Sequence, residues 1–141
     1  DHVVDHSKPL AAQLAAIGHR QVPLIAGISG TDKSLPQIAD IIAPQGKFAL
    51  IDDPDTLDIK PLKRKSVSVH WEAMFTRSTF ETPDMIAQHR LLNEVGAMID
   101  SGLIVTTAAQ ELAPINAANL LKAHAQIESG TTIGKVVLSG W

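Results

Sequence analysis

Val22-Pro-Leu-Ile-Ala-Gly-Ile28 and Lys47-Phe-Ala-Leu-Ile51, the latter running straight into Asp52-Asp53-Pro54, decide how the rest of this chain is read. Both runs are short and nearly all apolar, the pattern of strands covered on both faces. Between them Ser29-Gly30-Thr31-Asp32 reads as a loop. Leu35, Ile38, Ile41 and Ile42 then form one stripe at helical spacing, with Ser34 or Thr31 as the cap. Pro44-Gln45-Gly46 breaks that helix before the second run. A strand, a crossover helix and a second apolar strand make the unit from which parallel sheets are built.

The same alternation extends outward. Upstream, residues 2–6 read as a short strand. Ser7 caps a helix with Pro9 in its first turn, carrying Leu10, Leu14 and Ile17 and stopped by Gly18. Downstream, residues 55–65 are charged and lack a clear period, whereas Ser66 to Trp71 alternates, with Val67, Val69 and Trp71 on one face. Thr82-Pro83-Asp84 opens a helix whose buried face is Ile86, Leu92, Val95 and Ile99 and whose stop is Gly102. Leu103 to Thr107 is extended. Asn116 caps a last helix with Leu120, Leu121 and Ile127, closed by Gly130, and Lys135 to Leu138 is the final strand. The fold class is α/β with a largely parallel sheet. Strict alternation fails near residues 104–110, which divides the chain into 1–105 and 106–141.

Composition limits the function classes. At 141 residues and 45% hydrophobic, one core is expected and two full domains are not. A net charge of −3 leaves no electrostatic footprint for nucleic acid. The basic group Lys60, Lys63, Arg64 and Lys65 lacks interleaved aromatics and reads as a solvated loop. No apolar run is long enough for a membrane span, and no signal-peptide pattern opens the chain, so a cytoplasmic location is expected. The absence of cysteine excludes disulfides and thiolate zinc sites. The start at Asp1 raises the expectation of a piece of something longer.

Two loops carry candidate chemistry. Asp52-Asp53 follows a buried parallel strand, where open α/β sheets bind ligands. The pair is suited to a metal, a phosphoryl group or a cofactor border, and equally to turning the chain before Pro54. Ser29-Gly30-Thr31 lies at the equivalent edge one strand earlier and offers hydroxyls and N–H groups to a small anion or cofactor. No Gly-x-Gly-x-x-Gly, Gly-x-x-x-x-Gly-Lys-Ser/Thr or Gly-x-Ser-x-Gly pattern occurs, so no phosphate cradle or serine-hydrolase elbow is expected within the chain. His2 and His6, beside Asp1 and Asp5, would lie about 13 Å apart in a strand, too far to share one metal. His19, His70, His89 and His124 show no ligand spacing.

The order of motifs resembles a known family. Ile42-Ala-Pro-Gln-Gly-Lys-Phe-Ala-Leu-Ile-Asp-Asp-Pro54, Ser68-Val-His-Trp-Glu-Ala-Met-Phe-Thr-Arg77, Asn116-Ala-Ala-Asn-Leu-Leu-Lys-Ala-His-Ala-Gln-Ile-Glu-Ser-Gly130 and Gly134-Lys-Val-Val-Leu138 resemble medium-chain dehydrogenases/reductases. Within them the chain is most similar to the zinc-type alcohol dehydrogenase-like branch, near the quinone oxidoreductases. The resemblance is collinear and covers essentially the whole chain.

It implies the C-terminal portion of such a protein: a partial Rossmann domain lacking its first two strands (1–105), then a strand-helix-strand segment returning to an absent GroES-like catalytic domain (106–141). It also implies an NAD(P)H-dependent oxidoreductase that moves hydride between nicotinamide and a carbonyl, enone or quinone, the piece alone being inactive. NADP or NAD would be the cofactor. By position, Ser29, Thr31, Ile51, Asp52, Phe75 and Thr76 would flank the nicotinamide and Lys135 would approach the pyrophosphate. Asp52 departs from the glycine common in the wider family. Zinc ligands would lie outside this stretch, so no metal is expected on it. Two missing strands would leave residues 2–6 without neighbours and bare the edge of Val22–Ile28. This predicts repacking of residues 1–20 or homo-oligomers through sheet edges, with Val67–Val69 as a second edge. The competing expectation is a self-contained α/β binding or dimerisation module, such as a phospho-receiver using Asp52 or Asp53. Its acidic pair would belong after the first strand, and here it follows the third.

Overall fold

The computed structural model describes residues 2–141, so Asp1, grouped above with His2, Asp5 and His6, lies outside the described residues. The chain divides into two compact units, Asp1–Phe80 and Glu81–Trp141. The first contains α1 (Leu10–Ala16), β1 (Val22–Gly27), α2 (Thr31–Ile41), β2 (Ile42–Leu50), a 3-10 helix (Lys60–Lys65), β3 (Ser68–Trp71) and the short α3 (Thr76–Thr79). Its sheet is parallel throughout, in the order β1-β2-β3. The second contains α4 (Ile86–Asp100), β4 (Ala108–Leu112), α5 (Ala117–Glu128) and β5 (Lys135–Leu138), with β4 and β5 paired in parallel. The α/β class with parallel sheets follows the sequence expectation.

The core of the first unit lies on one face of its sheet. Leu35 and Ile38 from α2 meet Ile42, Phe48 and Leu50 from β2 and Leu62 from the 3-10 helix, and Ile25 and Val69 pack at its margin. The other face is open: Leu24 is 69% exposed, and Leu24, Ala26, Ala49 and His70 line a shallow depression of about 450 Å³. The apolar runs at 22–28 and 47–51 were expected to be covered on both faces. Only one is covered among the described residues, because α1 packs beside α2. The Leu10 N–H donates to Gln37 Oε1 at 2.9 Å.

Several boundaries differ from expectation for identifiable reasons. Residues 2–6 form no strand. They lead into a turn held by Asp5, which accepts from the Ser7 N–H and hydroxyl, and by Gln13, which bonds the Asp5 N–H and carbonyl. With no adjacent strand to pair, local side-chain bonds prevail. Ser7 therefore does not cap α1, which starts after Pro9 without a side-chain cap. Helix α2 starts at Thr31 after Gly30 (φ 62°), and neither Ser34 nor Thr31 caps it from the N-cap position. Pro44-Gln45-Gly46 breaks the register of β2, which already pairs at Ile42 and resumes at Lys47. Gln45 takes φ 60°, and a Cβ on Gly46 would meet Ala43 O and Ile42 Cγ1 at 2.8 Å.

In the second unit Thr82-Pro83-Asp84 forms turns before α4, and the Thr82 hydroxyl donates to Asp84. Ile86, Leu92 and Ile99 are exposed on α4 where burial was expected. Strand β4 lies at 108–112, past the extended stretch read at 103–107. Asn116 caps α5 as its position suggests, its Oδ1 accepting from the Asn119 N–H at 2.8 Å, and β5 falls on the expected residues. At Gly134 (φ 77°) a Cβ would stand 2.7 Å from Thr107 O, so glycine is needed where β5 joins β4.

Candidate cofactor cleft at the strand ends

Parallel pairing brings the C-terminal ends of three strands to one edge. Gly27, Leu50 and Trp71 are in register across β1, β2 and β3. Backbone bonds continue the ladder past the strands: the Ile51 N–H donates to Gly27 O at 3.1 Å and the Glu72 N–H to Leu50 O at 2.9 Å. The segments after the strands therefore emerge side by side. They carry Ser29 and Thr31, Ile51 and Asp52, and Phe75 and Thr76.

A cleft of about 390 Å³ opens at this edge. Ile51, Met74 and Phe75 supply its apolar wall, and Asp53, Glu72 and Arg77 its charged rim. Ile51 is 53% exposed and Phe75 67%, so both offer surface to a planar ring. Thr76 begins α3 next to this wall.

Asp52 faces the start of α2. Its carboxylate accepts from the Thr31 N–H at 2.9 Å and from the Thr31 hydroxyl at 2.5 Å. These bonds, the hydroxyl first, hold the Asp52 carboxyl below its ordinary range. Thr31 is 1% exposed and both of its donors are taken, so it meets the rim through Asp52. Ser29 is exposed in the intervening loop. Lys135 opens β5 in the second unit, with its N–H bonded to Thr107 O at 2.7 Å. The structure thus groups Ile51 with Phe75, and Thr31 with Asp52.

One contribution escaped the sequence reading. Lys65 was grouped with the solvated basic loop, yet its Nζ donates to the carbonyls of Ala39, Asp40 and Ile42 at 2.7–2.8 Å. It closes the C-terminal end of α2. Its only signal in sequence was its place last in a basic run, directly before the strand that pairs with β2. Lys60, Lys63 and Arg64 are exposed as expected.

The donor set does not suit zinc. The chain has no cysteine, and among the described residues no three His, Asp or Glu side chains converge. The ring of His2 instead meets that of His19 edge-on at 6.4 Å. Among the described residues no helix is long and apolar enough to cross a membrane.

Comparison with known proteins agrees with this architecture. The zinc-type alcohol dehydrogenase-like protein of Staphylococcus aureus (strain MSSA476) is 31% identical over 143 residues, a match covering 99% of this chain and 42% of that protein. A crystal structure of a protein from Rhizobium etli CFN 42 superposes with a TM-score of 0.90 at 56% identity, covering 99% of this chain and 41% of that one. A mycobacterial protein complexed with NADPH shares the fold at a TM-score of 0.69 and 20% identity, over 92% of this chain and 39% of its own. The chain thus spans about two-fifths of the length of the relatives it matches. The zinc-binding dehydrogenase family model matches residues 1–138, and the chain belongs to that family.

Proposed function

We propose that this chain forms the nicotinamide side of an NAD(P)H-dependent oxidoreductase acting on a carbonyl, enone or quinone. The observation that carries the reading is the convergence of Ile51 and Phe75 on one cleft at the C-terminal edge of a parallel sheet, the place where open α/β sheets take their ligands. When bound, the nicotinamide supplies or accepts the hydride. The chain's own residues position and dry the ring. Ile51, Met74 and Phe75 present apolar surface that excludes water from a face where hydride passes. Ser29 and Thr76 offer hydroxyls to a carboxamide. No glycine-rich phosphate turn is present, so the chain alone carries only part of such a site. No step is assigned to zinc.

Assembly belongs to the same proposal. Strands β1 and β3 are the edges of the three-stranded sheet, each with one strand neighbour among the described residues. Such edges favour pairing with a second copy. Light scattering at increasing concentration tests this, with a concentration-independent monomer as the opposing result.

The function is tested by titrating NADPH into the gene product that contains this chain, at its natural length, and into the 141-residue chain alone. We expect saturable binding by the former and binding at least about 100-fold weaker by the latter, since a lost phosphate cradle removes several charge-assisted bonds. No binding by the natural-length product overturns the reading. Equal binding by both overturns the claim that this chain holds only part of the site.

A further inference from the structure

The loop between β1 and α2 is tied at both feet to one dipeptide. On the β1 side, Gly27 O accepts from the Ile51 N–H at 3.1 Å. On the α2 side, the Thr31 N–H and hydroxyl both donate to Asp52. Ile28, Ser29 and Gly30 therefore form a three-residue arch standing on Ile51-Asp52, and Ile51 lines the cleft. Little slack remains at the feet. Thr31 is 1% exposed, and a Cβ on Gly27 would stand 2.6 Å from the Thr31 hydroxyl oxygen and 3.2 Å from the Phe48 ring. Gly30 takes φ 62°, which lets the arch descend into the helix without strain.

Resting on the cofactor reading above, we propose that Asp52 is a positioning residue: its two bonds to Thr31 fix the arch Ile28–Gly30 against Ile51 and close the α2 N-terminus to anionic ligands. The first N–H groups of a helix, with the positive end of its dipole, ordinarily attract a phosphate or carboxylate. Here the chain supplies that carboxylate itself. The arch is left to meet a ring or carboxamide through Ser29, and the phosphates of a dinucleotide must be held elsewhere.

The test uses Thr31→Val, which removes the hydroxyl donor while keeping shape, Thr31→Ser, which restores it, and Lys65→Met, which loosens α2 at its opposite end. Each is made in the natural-length gene product, and NADPH affinity and thermal midpoint are measured together. Thr31→Val is expected to weaken NADPH about tenfold, because binding must then order an arch that the latch no longer holds, and Thr31→Ser to recover most of it. Lys65→Met is expected to lower the midpoint at least as far while leaving affinity within about threefold. Unchanged affinity in Thr31→Val overturns the proposal, as does an equal loss in Lys65→Met.

Amide exchange in the 141-residue chain keeps the proposal falsifiable if Thr31→Val fails to fold or if the unaltered protein does not bind NADPH. The Thr31 amide is expected to be protected in the unaltered chain and to exchange freely in Asp52→Ala. Free exchange in the unaltered chain overturns the latch. Failure of the unaltered protein to bind NADPH overturns the cofactor reading alone.

Discussion

At the scale of single residues, Gly27 and Asp52 hold the loop beside the cleft in place. Alanine at 27 would place a methyl 2.6 Å from the Thr31 hydroxyl oxygen, where buried Thr31 and Phe48 have little room to move. Overpacking of this kind costs about 1–3 kcal/mol. Urea unfolding of Gly27→Ala should show that loss with an unchanged m-value. For Asp52, bonding to Thr31 lowers the folded-state pKa below the unfolded one. The stability it confers is therefore present above the unfolded carboxyl range and is lost as pH falls through the folded pKa. The urea midpoint of the unaltered chain should exceed that of Asp52→Asn near neutral pH, and the gap should close as pH falls below about 4. Asp5 is also held low, by the Ser7 hydroxyl and N–H, but it is common to both proteins and cancels in the difference.

At the scale of elements, α2 is held at both ends by side chains from elsewhere in its unit, Asp52 at the first turn and Lys65 on the last carbonyls. Lys65→Met keeps the aliphatic stem but strands three acceptors, and should cost about 1–3 kcal/mol by chemical denaturation. An effect below about 0.5 kcal/mol would mean that water replaces the ammonium without penalty. These ties also mark what could be read from sequence. The stripe of Leu35, Ile38, Ile41 and Ile42, the runs at 22–28 and 47–51, and Asn116 before α5 each announce an element through local period or cap chemistry. The bonds of Asp52 to Thr31 and of Lys65 to Ala39, Asp40 and Ile42 join positions more than twenty residues apart, and no local pattern encodes them. Residues 2–6 failed for the opposite reason. Their strand-like composition needs a neighbouring strand, and none pairs with them among the described residues.

At the scale of the whole molecule, the candidate site was legible as a place more than as a set of contacts. Apolar strands followed by Ser29-Gly30-Thr31, Asp52-Asp53 and Met74-Phe75-Thr76 had to emerge together once the strands were parallel and adjacent, and they do. Which of these side chains face the cleft and which support it was set by the register of β1, β2 and β3 and by the room left at Gly27. The exposed Leu24 on the open sheet face and Ile86, Leu92 and Ile99 on α4 show why apolar content alone misjudged burial. A strand or helix can carry two apolar faces and find a partner for only one. On the proposed function, the rim at the ends of β1, β2 and β3 receives a nicotinamide. A crystal structure of the natural-length gene product with NADPH tests it most directly. The nicotinamide ring is expected against Ile51 and Phe75, with the Thr31–Asp52 bonds intact and no phosphate at the start of α2. A ring bound away from these residues, or a phosphate seated on the Thr31 N–H, would contradict it.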